Sequence, residues 1–397
     1  MDYITLLILL SILWTAIKIL KLGPRKPARL PPGPRGLPII GNMLQLGTLP
    51  HQALTKLSQI YGPVMSLKLG SITTIVFSSS DVAKEVLKKH DKNFANKTIL
   101  DAVRALDLDK HLIAWQPADA HWRILRKICN TEIFTVKRLE ASQGLRQRKV
   151  QELLDHVLEC SQTGRAVHIA QAGFTTSLNF FSNTIFSMDL AHYDSKMSHE
   201  FLGLVRGFLE VIGKPNLADY FPTLRFLDPQ GIRKQTEFCL ENLMAIVNDI
   251  VNKRLESDAR GNDDDMLNTL IKLHHENESE FSRKDLNFLL LFHEYSSHLY
   301  TPCPTVYLSA RTFKTVKEMF VAGPHTTSTA LEWTMAELLR HPKTLAKAQA
   351  ELGELIGKGK MVQESDISKL SYLQAVVKES LRLHPVAPIL IHNSAAE

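Results

Sequence analysis

The chain has 397 residues, 44% of them hydrophobic and 22% charged, which is ordinary for a globular protein with a large core and excludes a disordered or fibrous chain. The net charge of +6 sits almost wholly in residues 1–36, where Lys18, Lys21, Arg25, Lys26, Arg29 and Arg35 face one acid, Asp2; the remainder is close to neutral, so no nucleic-acid partner is indicated. The cysteines, Cys129, Cys160, Cys239 and Cys303, are far apart with no C-x-x-C, the usage of reduced thiols in a cytosol-facing protein.

Tyr3 to Leu22 is almost wholly apolar, and about 20 such residues span a bilayer core. Lys18 can snorkel, and Trp14 suits the interface. A cleaved signal peptide would want a basic start and a small-x-small site; this start is acidic and the stretch ends in lysines. Residues 1–22 are therefore expected to be a retained transmembrane anchor, with membrane lipid as a partner. The positive flank stays cytosolic, so the N-terminus faces the lumen and the body the cytosol. Residues 23–36 form a basic, proline-rich hinge, and Leu30-Pro31-Pro32-Gly33-Pro34-Arg35-Gly36 reads as a stiff elbow.

Residues 37–397 read as the body. Ala53, Leu54, Leu57 and Ile60 share one helical stripe over 50–60. Val64 to Phe77 gives two short strands turning at Gly70-Ser71. Asp81 suits an N-cap for Val82–His90. From about 120 to 290 the pattern is helical, with amphipathic stretches at 135–160, 166–190, 199–213 and 231–257. Gly261-Asn262-Asp263-Asp264-Asp265 reads as a solvated loop, because its spacing lacks the rest of a calcium site. The fold class expected is mainly α with a small N-terminal β-sheet.

Three constellations stand out. Trp122 and Arg126 are i, i+4 on an expected helix, which alone reads as a packed indole under an arginine stem. Ala322-Gly323-Pro324-His325-Thr326-Thr327 puts small residues, a proline and a hydroxyl in a helical stretch; an interior proline costs about 3 kcal/mol unless the helix is already opened. Glu379 and Arg382 are i, i+3 and can pair on one face, which alone is an ordinary surface ion pair.

In this order, after the anchor and Leu30-Pro31-Pro32-Gly33-Pro34, these motifs resemble a microsomal cytochrome P450. Lys97–Leu106 and Ile113–Pro117 are similar to the substrate-contacting loop of plant terpenoid hydroxylases of the geraniol-hydroxylase type. The resemblance implies a heme-thiolate monooxygenase of the endoplasmic reticulum membrane. It would insert one oxygen atom into a C–H bond, with electrons from NADPH through a membrane-bound cytochrome reductase. It implies that Trp122 and Arg126 reach heme propionates, the planar guanidinium suiting a carboxylate. It implies that Ala322 and Gly323 let the helix pass close over the cofactor, and that Thr326 helps deliver protons. His325 stands where the family has an acid, and histidine can relay protons near neutral pH. Glu379 and Arg382 match the family's structural ion pair. The implied substrate is small and apolar, a monoterpenoid such as geraniol, lined by 98–118, 205–225 and Val386–Leu390.

Two stretches depart from the pattern. Residues 292–319 read as an anomalous insert, because Pro302 and Pro304 forbid a continuous helix and no clean apolar period runs through it. His293, His298 and Cys303 there lack a fourth zinc ligand, so no metal site is assigned. After Ile391 the family's continuation is replaced by His392–Glu397, and no cysteine lies in a Phe-x-x-Gly-x-Arg-x-Cys-x-Gly loop. The fold is expected to be incomplete at its C-terminus, without the axial thiolate of the heme. The alternative reading is a non-catalytic, truncated or mis-spliced product unable to ligate heme iron, which would give no thiolate-type heme spectrum.

Overall fold

The computed structural model describes residues 30–110, 114–115, 117–128, 130–131, 135–193, 196–256, 306–357, 359–390 and 393–394, together with Ser11 and Trp14. The expected anchor beyond those two residues, the hinge up to residue 29, the Gly261–Asp265 run, Cys129, and His293, His298 and Cys303 lie outside them. Among the described residues no helix is long and apolar enough to cross a membrane. The chain forms two compact units, Met1–Asp91 and Lys92–Glu397.

In the smaller unit, helix α1 (Pro50–Tyr61) precedes an antiparallel hairpin of β1 (Val64–Leu69) and β2 (Ile72–Phe77). Val64 pairs with Phe77 and Leu69 with Ile72. Gly70 opens the two-residue turn at φ 57°, where glycine meets no steric penalty. Met65, Leu67 and Leu69 alternate into the core.

The elbow is not free. Ser66 N–H donates to Pro32 O at 2.9 Å and Ser66 Oγ to Pro31 O at 2.7 Å, so the segment lies along β1. Asn42 binds it further, donating through Nδ2 to Pro34 O at 3.2 Å while its Oδ1 accepts from Lys68 N–H at 2.7 Å. A Cβ on Gly33 would stand 1.9 Å from Ser66 O, so only glycine fits there. Proline stiffness is used here to present carbonyls to a strand.

The helix after β2 also starts differently. Its N-cap is Ser79, whose Oγ accepts from Val82 N–H at 3.3 Å. Asp81 sits in the first turn, where its charge complements the helix dipole. The α-helix covers Ser80–Lys84 and continues as a π turn over Glu85–Lys89.

The larger unit is helical: α2 (Ala120–Ile128), α3 (Gln143–Thr163), α4 (Ile169–Phe186), α5 (Lys196–Gly213), α6 (Ile232–Glu256), α7 (Val306–Arg340), α8 (Pro342–Leu355) and α9 (Ser371–Leu383). The core centres on α4, where Phe174, Leu178, Ile185 and Phe186 are at most 1% exposed. Burying each such side chain contributes roughly 1.5–3 kcal/mol. α4 packs closely on α7. A Cβ on Gly173 of α4 would already stand 3.0 Å from Leu331 Cδ2. Buried Asn179 accepts from Leu190 and Ala191 N–H and donates to Ala191 O, pinning the turn that follows α4.

α7 corrects the reading of 292–319. Residues 306–319 are helical and continuous with the motif-bearing stretch. Pro302 and Pro304 forbid helix only around themselves, and 306–319 contains neither Pro nor Gly.

Candidate active site

α7 carries Ala322, Gly323, His325 and Thr326, and it runs unbroken through a buried Pro324. Pro324 has no N–H to give the preceding turn. Hydroxyls bond back to the helix around it: Thr326 Oγ donates to Gly323 O at 3.2 Å and Ser328 Oγ to His325 O at 3.0 Å. Such back-bonding opens helices slightly, which eases a proline. Thr326 is exposed.

His325 is half-buried, and burial pushes its imidazole below the ordinary histidine value. The Arg206 guanidinium of α5 adds to that, and Glu332 opposes it. The shift favours the neutral ring. Its Nδ1 is buried and has no hydrogen-bond partner within the chain.

Gly323 has a packing role that the sequence did not reveal. A Cβ there would stand 2.3 Å from Cζ and 2.5 Å from Cε2 of Phe181, on α4. The absent side chain makes room for that ring.

Trp122 and Arg126 lie one turn apart on α2, as the spacing requires. Asp119 starts this helix, its Oδ1 accepting from Trp122 N–H at 2.8 Å. Trp122 is half-buried and Arg126 exposed.

Glu379 and Arg382 form a two-pronged pair on α9, Nε to Oε2 at 2.8 Å and a terminal nitrogen to Oε1 at 2.7 Å. The pair is exposed, and the bond from Arg382 holds the Glu379 carboxyl below the usual carboxylate range.

Residues unremarked in the sequence fix α9 at both ends. Leu370, its N-cap, gives no side-chain bond, and Glu351 of α8 caps the helix from outside. The Glu351 carboxylate accepts from Tyr372 N–H at 2.8 Å and Leu373 N–H at 2.9 Å, and those backbone bonds depress it. At the other end His384 stacks on Trp333 of α7, ring centroids 3.9 Å apart and planes 6° from parallel. His384 Nε2 lies 2.9 Å from Glu337 Oε1, and between the helices Thr334 Oγ donates to Ser380 Oγ at 3.0 Å. The pair-bearing helix is thus fastened to the helix that bears Thr326. No sequence signal marks Glu351; the i, i+4 pair Trp333 and Glu337 was the available hint for His384.

Two segments expected to line a substrate meet through buried contacts. Ala102 packs with Val211 and Ile232. The segment after α9 returns just ahead of the first of them: Lys97 Nζ donates to Asn393 Oδ1 at 2.6 Å, and Ser394 N–H to Asn96 O at 2.9 Å.

A family model described as Cytochrome P450 matches residues 31–292 and 308–396. The chain belongs to the cytochrome P450 family. The match reaches 396, so Asn393 and Ser394 fall within the family pattern rather than beyond it, and it leaves out only 293–307 of the presumed insert. Among similar proteins, Cytochrome P450 76T24 of Catharanthus roseus is 45% identical over 401 residues, covering 99% of this chain and 75% of its own. Cytochrome P450 monooxygenase 76AD131 of Lophophora williamsii is 45% identical over 402 residues, with the same shares. Geraniol 8-hydroxylase of Catharanthus roseus is 42% identical over 392 residues, covering 98% of this chain and 74% of its own. As a P450 the chain is an oxidoreductase of the monooxygenase class, and the family implies heme.

Proposed function

We propose that this chain is a heme-dependent monooxygenase that hydroxylates a small apolar substrate, a monoterpenoid alcohol such as geraniol. Its electrons come from NADPH through a membrane-bound cytochrome reductase. The chain is held in the endoplasmic reticulum membrane by residues 1–22, with its body in the cytosol. The observation that carries the reading is the α7 stretch, where the exposed Thr326 hydroxyl follows a half-buried His325 with an unpartnered Nδ1. Similarity to a protein named Geraniol 8-hydroxylase supports the substrate class.

Part of the chain fits heme. The exposed Arg126 guanidinium and the Trp122 indole N–H, one turn apart, suit the two propionates. The described cysteines do not fit the axial position. Cys160 and Cys239 are buried in helix packing, and burial pushes the Cys239 thiol up, away from the thiolate. The heme, when bound, supplies the activation of dioxygen. The chain supplies the rest. Arg126 and Trp122 orient the cofactor, Thr326 Oγ holds a proton, and His325 takes and returns one at Nδ1. Residues 98–118, 205–225 and 386–390 enclose the substrate and exclude water.

The second reading is a product unable to ligate heme iron. One experiment separates the two. The full chain is loaded with heme, reduced under carbon monoxide and examined spectroscopically, then given geraniol, NADPH and reductase. A thiolate-type spectrum with NADPH-dependent hydroxylation supports the proposal. Bound heme with neither result overturns it in favour of the second reading.

A further inference from the structure

A groove of about 360 Å³ opens along the surface between α5 and α6. The helices run antiparallel there, because Val211 clusters with Ile232 and Phe208 with Cys239. That pairing gathers the lining residues by chemistry. Lys214, just past the end of α5, and Lys234, in the first turn of α6, share one end of the groove. Gly207, Phe238 and Cys239 form the other. The apolar end is bare. Phe238 is 63% exposed. Gly207 contributes no side chain, and a Cβ there would stand 3.3 Å from Cys239 Sγ. The polar end is cationic. Both lysines are exposed, and among the described residues neither ammonium has a carboxylate within ion-pair distance. Glu210, one turn before Lys214, is the single acid of the lining, so two ammoniums against one carboxylate leave the groove positive.

We infer that this groove binds an anionic amphiphile, a medium-chain carboxylate with its head between Lys214 and Lys234 and its tail along Phe238. Charge complementarity selects the head. Two ammoniums at one end repel each other, and a carboxylate between them turns that repulsion into two charge-assisted contacts. The bare end selects the tail, since an alkyl chain laid on Phe238 and Gly207 removes apolar surface from water. Size sets its length. At roughly 30 Å³ per heavy atom the groove holds about 12, the ten carbons and two oxygens of decanoate. A neutral alcohol of the same length covers the apolar end and leaves both ammoniums as they were. The inference therefore does not rest on the reaction proposed for the α7 motif. Its occupant touches both helices, so binding ties α5 to α6.

Cys239 makes the test possible, because its thiol lines the groove. The full chain is alkylated with iodoacetamide under alkaline conditions, with decanoate added below its micelle concentration, and each cysteine is read by peptide mass. Decanoate is expected to slow alkylation of Cys239 in a saturable way. Cys160, buried on α3, is the internal control and keeps its rate. Decanol at the same concentration is expected to protect Cys239 far less. Lys214→Gln and Lys234→Gln, both at exposed positions, keep the fold and are each expected to raise the decanoate concentration for half-protection about tenfold. The inference is overturned if decanoate leaves Cys239 as reactive as before, or if Cys160 slows in step with it. Equal protection by decanol, or unchanged decanoate affinity in both lysine variants, overturns it as well.

Discussion

Gly323→Ala distinguishes two reasons for a glycine in the α7 motif. Resemblance alone assigns the small side chain to close passage over the cofactor. The packing assigns it to Phe181, whose Cζ would lie 2.3 Å from the new methyl. In isolation Gly→Ala in a helix gains about 1 kcal/mol in propensity. Against that, ordinary carbon contact is about 3.5–4.0 Å, so the ring must move by more than an ångström. The ring is in edge contact with Phe180, centroids 5.6 Å apart, which limits where it can go. Overpacking of this kind costs about 1–3 kcal/mol, so the steric loss meets or exceeds the propensity gain. The expected net is a destabilisation of about 1 kcal/mol in the heme-free chain, measured by urea unfolding. Phe181→Leu in the same background shortens the clashing group and is expected to recover most of the loss, with a coupling of at least about 1 kcal/mol in the double-mutant cycle. A heme-free Gly323→Ala chain as stable as wild type, with no coupling to position 181, would refute the packing argument.

Other consequences follow from single contacts. Thr334→Val leaves the buried Ser380 hydroxyl without the bond it receives and is expected to cost about 1–3 kcal/mol in unfolding free energy, while loosening α9 in hydrogen exchange. Glu351 titrates below its unfolded value near 4.5, so its cap on α9 stabilises above that value and is lost as pH falls through the lowered folded one. Glu351→Gln should therefore flatten the acid limb of a stability-against-pH curve; an unchanged limb would contradict the capping role. Gly33→Ala forces a methyl against Ser66 O and is expected to lift 31–36 from β1, seen as faster exchange of the Ser66 amide and proteolysis near Pro34.

Local patterns were legible in the sequence and tertiary ones were not. The 3.6-residue period gave α1 and the run from α3 to α6, and Gly70-Ser71 gave the hairpin, because each signal lies within one element. The cap at Ser79 was misassigned to Asp81 because Ser78-Ser79-Ser80-Asp81 offers four capping side chains in a row, and only geometry selects among them. The start of α7 was missed because two upstream prolines coloured the reading of residues beyond their reach. Glu351 on α9, Asp101 on Arg233 and Phe181 over Gly323 join residues 21 to 142 positions apart. No period encodes such pairs. Within the candidate site, spacing placed Trp122 with Arg126 and Glu379 with Arg382, while the fastening of α9 to α7 through His384 came from the fold.

The most direct test of the central claim, that this chain cradles heme through α2, is a heme titration of the full chain beside Arg126→Leu and Trp122→Phe. The account predicts that the wild type binds one heme and that Arg126→Leu weakens binding at least tenfold, about 1.4 kcal/mol, with a smaller loss for Trp122→Phe. Equal heme affinity in the wild type and Arg126→Leu would contradict it.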